Sequence, residues 1–291
     1  MQIATLTIPD LVMLGGSVND VERFYALVEQ LPPADQYHLD MAAVTFIRSY
    51  AAIAMIGAAR RLTKKSGRSL LLQNLQPDVH SYLHFMRVFE LGADFITAAK
   101  PLPAAWQPET STPDQLQLTL VTGAASVETI VNRAREIYGH WLQTANYSNL
   151  LSVISELCAN IYQHSGDPQG GVLIQKIQSR TRKRVEVRLA VGDLGVGVRG
   201  SLSARHDNLG DAPLDYLRAA LQGKTARSSG RGGLGLRRVE QFVESVGGYL
   251  WLRSETAAIL SYGADRVEAY EDLAYVPGTQ VAVELYAPLQ D

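Results

Sequence analysis

Glu156, Asn160 and His164 recur at intervals of four in the stretch Glu156-Leu-Cys-Ala-Asn160-Ile-Tyr-Gln-His164, whose pattern reads as a helix. That spacing stacks the three side chains on one face, about one turn apart. A carboxylate beside a carboxamide on such a stripe can polarise a water and hold a metal ion. Magnesium takes oxygen ligands and keeps several waters, so one Asn oxygen plus phosphate oxygens suffices. The plainer alternative is a polar helix face in solvent. Further on, Val191-Gly-Asp193-Leu-Gly195-Val-Gly197 closes a predicted strand. A carboxylate there can accept a hydrogen bond from an exocyclic amine such as adenine's, and the glycines let backbone approach a flat ligand. The same residue types also make ordinary strand-ending turns.

A third segment, Ser228-Ser-Gly230-Arg231-Gly232-Gly233-Leu234-Gly235-Leu236, stands just before a predicted helix. Glycine-rich backbone opening a helix presents unpaired N–H groups and the positive end of the helix dipole to phosphates. Lys224, Arg227 and Arg231 can add charge-assisted bonds. The glycine order is not that of a Walker loop, and a dinucleotide fingerprint would follow the first strand rather than come this late. A surface loop is the alternative. The fourth segment, Pro277-Gly278-Thr279, precedes the final strand.

The elements that must position these residues read as alternating strands and helices. In the first hundred residues we expect strands at 3–8, 37–46 and 70–75 and helices at 19–31, 49–65 and 78–91. Residues 98–114 hold four prolines among Ser and Thr and lose periodicity, so we expect a first domain over 1–98, a linker over 99–114 and a second domain over 115–291. In the second, strands are expected at 116–121, 171–178, 184–192, 249–253 and 280–286, with helices at 127–143, 149–163 and 234–246.

Composition narrows the function. The chain has 291 residues, 46% of them hydrophobic, which supports two globular domains. Lys plus Arg number 27 against 29 Asp plus Glu, a net charge of −2, so binding to nucleic acid through overall charge is disfavoured. One cysteine excludes an internal disulfide and any Cys-based zinc site. The opening residues lack a basic stretch followed by an apolar run, and the longest apolar stretch, 51–59, is too short to span a bilayer. A cytoplasmic protein without membrane association is expected.

In order and spacing, Glu-x-x-x-Asn, Asp-x-Gly-x-Gly, Gly-x-Gly-Gly-Leu-Gly-Leu and Gly-Thr together resemble the GHKL ATPase superfamily over residues 116–286. That superfamily includes histidine-kinase catalytic domains, anti-sigma-factor serine kinases, type II topoisomerases, Hsp90 and mismatch-repair ATPases. The resemblance implies an α/β sandwich of the Bergerat type, a mixed sheet packed on helices, with ATP and Mg²⁺ as cofactors. It implies that Glu156 is the general base or a water-orienting carboxylate, that Asn160 coordinates Mg²⁺, and that Asp193 reads the adenine amino group with support from Thr279. Gly195 and Gly197 would line the adenine pocket. Gly230, Arg231, Gly232, Gly233, Leu234 and Gly235 would form the lid contact to the phosphates. The role of His164 stays open.

The N-terminal run His38-Leu-Asp-Met-Ala-Ala-Val-Thr-Phe-Ile47-Arg48-Ser49-Tyr50-Ala51 resembles the STAS domain of anti-anti-sigma factors, an α/β fold. In that family a strand ends in Asp-Ser-Ser-Gly or Asp-Ser-Thr-Gly, and the first Ser is phosphorylated by a GHKL kinase. Here Arg48 replaces the Asp, Tyr50 the second hydroxyl residue and Ala51 the Gly; only Ser49 is kept. Without the Asp to position the hydroxyl, the resemblance implies a docking module rather than a phosphoacceptor.

Two functions follow from these resemblances. One is an ATP-binding regulatory protein of bacterial signalling type, using Mg-ATP for serine-kinase-like phosphoryl transfer or slow hydrolysis to switch binding of an anti-sigma or STAS-type partner. The other is a non-catalytic nucleotide-sensing module whose STAS-like domain docks a partner. A homodimer is compatible with either. No phosphoacceptor-histidine helix bundle is apparent, and too few residues remain for the transducer domain of a DNA-processing ATPase. Lys176, Arg180, Arg182, Lys183, Arg184 and Arg188 read as the solvated tip of a hairpin, with an acidic-partner patch as the alternative. Cys158 reads as a structural thiol.

Overall fold

Helical crossovers set the strand directions in the first part of the chain. A computed structural model describes residues 1–8, 17–103, 115–138, 144–179, 183–206, 208–224 and 235–288. The chain divides into two compact units, Met1–Thr112 and Pro113–Asp291. The first contains β1 (Ile3–Thr7), α1 (Val18–Glu29), β2 (Gln36–Asp40), α2 (Ser49–Ser66), β3 (Leu70–Gln73), α3 (Pro77–Phe85), α4 (Val88–Leu91) and β4 (Ile96–Ala98). Its four strands pair in parallel in the order β1-β2-β3-β4. Helical crossovers return the chain to its starting edge, as parallel pairing requires.

Local signals fix the ends of these elements. Ser17 and Asp20 close a capping box at the start of α1, with Asp20 accepting from the Ser17 N–H at 2.6 Å. Gly67, left-handed at φ 71°, ends α2 and donates its N–H to Thr63. The expected strand over 37–46 stops at Asp40. There the carboxylate takes the Ala42 N–H at 3.0 Å and the Val44 N–H bonds back to Met41, turning the chain. Met41, Val44 and Ile47 are buried in that turn, so their apolar pattern reports the core rather than a strand. The helix expected over 78–91 is broken at Arg87, whose φ of 62° cannot continue a right-handed helix.

The second unit contains β5 (Gln115–Leu120), α5 (Ala124–Tyr138), α6 (Thr144–Asn160), a π-helical turn (Ile161–Ser165), β6 (Gly171–Ser179) and β7 (Arg184–Gly192). After these come α7 (Gly197–Leu202), α8 (Pro213–Leu221), α9 (Gly235–Val246), β8 (Tyr249–Glu255), β9 (Ala257–Ser261), β10 (Val267–Tyr270) and β11 (Val276–Pro288). The seven strands form one sheet in the order β10-β9-β8-β11-β7-β6-β5. The α/β fold class holds, but strand direction corrects one part of it: every pairing in this sheet is antiparallel, where a mixed sheet was expected. α5 and α6 lie between β5 and β6; of the remaining neighbours β6–β7, β8–β9 and β9–β10 are successive strands, while β11 pairs with β7 and β8 across longer connections.

One face of the sheet, with Val187, Leu189 and Val191 from β7 and Val281, Val283 and Leu285 from β11, packs on Leu150, Ile154 and Leu157 of α6 and Val239, Phe242 and Val243 of α9. The opposite face corrects the hairpin reading. Arg188 is buried and pairs with Glu186 at 2.5 Å and Glu284 at 3.5 Å, while Arg184 pairs with Glu186 at 2.9 Å. These arginines belong to an internal ion-pair cluster, because alternate residues of β7 point away from the helices. Arg180 and Arg182 lie outside the described residues. No helix among the described residues is long and apolar enough to cross a membrane.

Candidate functional site

Glu156, Asn160 and His164 all line one pocket, and the helix changes character between the last two. α6 ends at Asn160 and the next five residues form the π turn, which closes at Gly166 in the left-handed region. A π turn inserts an extra residue per hydrogen bond, a distortion that recurs at functional sites. Ser165 holds the turn, donating its hydroxyl to the Ile161 carbonyl at 2.7 Å and accepting the Asp167 N–H at 2.9 Å.

Asp193 and Thr279 face the same pocket from the adjoining strands. Asp193 is only 5% exposed. Its Oδ1 accepts the Gly195 N–H at 2.8 Å and the Thr279 N–H at 3.3 Å, and its own N–H donates to the Thr279 carbonyl at 3.0 Å. The carboxylate is therefore fixed in place by backbone. The lining includes apolar Ile161, Val191, Val198, Leu202 and Val281, and polar Glu156, Asn160 and Lys224.

Several glycines permit these approaches. A side chain on Gly235 would overlap the Glu156 carboxylate, so the first residue of α9 lies directly against that acid. Gly278, at φ 79°, lies against the Asp193 carbonyl and carboxylate, where any Cβ would collide. Pro277 and Gly278 are two residues in excess of the partner strand: Val276 opposes Glu255, yet Thr279 opposes the next residue, Ser254. Ser254 ties this bulge down, donating to the Gly278 carbonyl at 2.8 Å and accepting the Val198 N–H at 3.1 Å.

Thus Glu156, Asn160, Asp193, Gly197, Gly235 and Thr279 come together around one cavity. Gly195 is not among its lining residues; it packs behind the wall, where a Cβ would strike the Ser165 carbonyl. Gly230, Arg231, Gly232, Gly233 and Leu234 lie outside the described residues, as does Arg227. Sequence reasoning missed Asp167, which is 7% exposed. Its Oδ2 accepts the Leu194 N–H at 2.7 Å and its Oδ1 the Gln169 N–H at 3.0 Å, fastening the Asp193-Leu194-Gly195 turn to the π turn. The only local signal was an Asp following a glycine, a common turn pair. Ser254 carried no signal, being far from its partners in sequence.

The residues present suit a purine nucleotide with a phosphate tail. A cavity with mostly apolar walls carries a buried carboxylate able to accept from an exocyclic amine, and a cation, a carboxamide and a helix N-terminus also line it. Among the described residues no three His, Cys, Asp or Glu side chains form a metal cluster of their own. A magnesium ion would thus take Asn160 together with phosphate oxygens and water.

Residues 145–288 match the family described as histidine kinase-, DNA gyrase B-, and HSP90-like ATPase. The second unit carries an ATP-binding domain of this GHKL type. A comparison with curated proteins finds no match to the chain.

Proposed function

We propose that this protein is an ATP-dependent regulator in which the second unit transfers the γ-phosphoryl group of Mg-ATP, as a serine kinase does, or hydrolyses ATP slowly, and so switches binding of a partner. The observation that carries this reading is the convergence of Glu156, Asn160, Asp193 and Thr279 on one pocket with Glu156 against the first residue of α9. Asp193 accepts the adenine amino group, with Thr279 fixing the carboxylate. Asn160 would hold Mg²⁺, which would offset the charge of the phosphate groups. Glu156 takes the proton of the attacking hydroxyl or water.

The first unit, residues 1–98 ahead of a linker over 99–114, is read as a STAS-like docking module for an anti-sigma or STAS-type regulatory protein. Burial of Ser49, 3% exposed at the start of α2, supports docking over phosphorylation at that residue. A homodimer and a cytoplasmic location fit the same reading.

Titration of the full chain with Mg-ATP tests it. Saturable binding is expected, weakened tenfold or more by Asp193→Asn, a loss of about 1.4 kcal/mol or greater. Absence of binding at millimolar ATP overturns the assignment. Labelled ATP then separates the outcomes: label in a partner supports kinase action, label in free phosphate supports hydrolysis. If Glu156→Ala keeps nucleotide affinity and the parent shows no turnover, the non-catalytic sensing module is the correct function.

A further inference from the structure

A second cavity opens on the other side of Glu156, between α6 and α9. It is lined by Asn149, Ser152, Val153 and Glu156 from α6 and by Gly235, Arg238, Gln241, Phe242 and Ser245 from α9. Residues 149, 152, 153 and 156 follow the i, i+3, i+4, i+7 pattern of a single helix face, and 238, 241, 242 and 245 do the same. Val153 and Phe242 are the cavity's buried apolar members; Asn149, Ser152, Arg238, Gln241 and Ser245 are polar and exposed, and Glu156 is half-buried. Glu156 and Gly235 line both cavities, so the two meet at that carboxylate and at a residue without a side chain.

We propose that this groove admits the phosphoryl acceptor, an extended peptide segment carrying a Ser or Thr hydroxyl with an acidic residue close by. The inference rests on the kinase reading above. In-line transfer requires the attacking oxygen and the leaving group on opposite sides of the phosphorus, and Glu156 borders both the Asp193 cavity and this groove, so an acceptor in the groove reaches the same carboxylate from the side away from Asp193. Nucleotide enters from the Asp193 side and acceptor from the α6–α9 side. The acceptor oxygen forms a bond to the γ-phosphorus, the bond from that phosphorus to the β–γ bridging oxygen breaks, ADP departs, and the hydroxyl proton passes to Glu156. Asn149 and Gln241 can each donate and accept, and Ser152 and Ser245, whose hydroxyls already donate to the Ser148 and Phe242 carbonyls, can accept, which suits the alternating N–H and C=O groups of extended backbone. From Asn149 to Glu156 the helix rises roughly 10 Å, the length of about three extended residues. Arg238 sets the preference for an acidic neighbour.

The test uses the full chain, γ-labelled Mg-ATP and a positional library of Ser/Thr peptides, with hydrogen exchange as a readout independent of turnover. Peptides with an acidic neighbour should take label at least tenfold faster than those with a basic one, and Arg238→Glu should reverse that order. Gln241→Trp and Ser152→Trp, both on the exposed rims of the groove, should each cut labelling tenfold or more while Mg-ATP affinity stays within twofold. With ADP present, the best peptide should protect amides of 144–160 and 235–246. Labelling indifferent to both tryptophans, or no labelled peptide from a chain that binds ATP, overturns the groove and leaves the ATPase reading standing. A chain that binds no ATP removes both.

Discussion

The two units are assembled from the same ingredients and use their polar residues in opposite ways. In the parallel sheet of the first, Asp40 at the end of β2 accepts from the Ala42 N–H and the Asn74 side chain, and Gln76 donates to the Ala42 carbonyl at 2.9 Å. Those groups satisfy one another and knit loops together. In the antiparallel sheet of the second, Asp193 at the end of β7 is likewise held by backbone N–H groups, yet it lines a cavity shared with Glu156, Asn160 and Lys224. A strand-ending Asp is structural in one unit and part of a site in the other. What distinguishes them is convergence on an open volume, which residue type alone does not reveal.

Glycine substitutions sharpen that contrast most. Gly278→Ala should cost the second unit at least about 3 kcal/mol, since it adds left-handed strain to a collision with Asp193, and ATP binding should be lost in calorimetric titration. Gly67→Ala in the first unit meets nothing within 4 Å, so only the backbone cost of about 1 kcal/mol remains, and ATP affinity should not change. Equal effects would break the comparison.

Asp167→Asn should be intermediate. The carboxamide cannot accept from both the Leu194 and Gln169 N–H groups with its nitrogen, and the loss of a buried hydrogen bond costs about 1–3 kcal/mol. ATP affinity should fall several-fold, and discrimination between ATP and GTP should narrow because the turn beside Asp193 loosens. A uniform loss for both nucleotides would make Asp167 merely structural.

The units should also part company with pH. Burial, with the charge of His84, lowers the His80 pKa, so the unfolded first unit takes up a proton more readily and its stability should fall as pH drops below about 6.5. Burial pushes the Cys158 thiol up to about 12 from an ordinary value of 9.0, so in the second unit the unfolded chain loses that proton first and stability should fall as pH rises above about 9. Thermal melts at pH 5.5, 7.5 and 10 would show the two transitions moving separately. A thiol reagent at pH 8 should label Cys158 only on unfolding.

The smallest effect is expected at Ser49. Ser49→Ala should shift the melting temperature by only a few degrees and leave any label recovered in the chain unchanged. Label at Ser49 would reverse the docking reading.

Much of this was legible along the chain. The Glu156-Asn160-His164 spacing survived because it lies within a helix and the π turn that continues it, where sequence interval maps to direction. The expected strands of the second unit were found because alternation in Val185 to Val191 and Val281 to Leu285 mirrors the face that packs on the helices. Strand directions were not legible, since no residue records which edge a strand joins. The short helices α7 and α8 were hidden in a glycine-rich stretch, although Pro213 at the first position of α8 was a usable start signal. Gly195 looked like a lining residue because composition cannot separate a glycine facing a ligand from one packed behind it.

The bulge at Pro277 and Gly278 sets a rule for how this segment tolerates length change. Its excess is two residues, an even number, so Thr279 and the strand after it keep the alternation that an unbroken strand would have. Removing one residue would turn Gln280, Ala282 and Glu284 toward the helices and put Val281, Val283 and Leu285 on the far side. Removing both would keep the phase and lose the residue that lies against Asp193. Viable insertions and deletions at this point should therefore come in pairs, and the pair already present cannot be given up without losing the site.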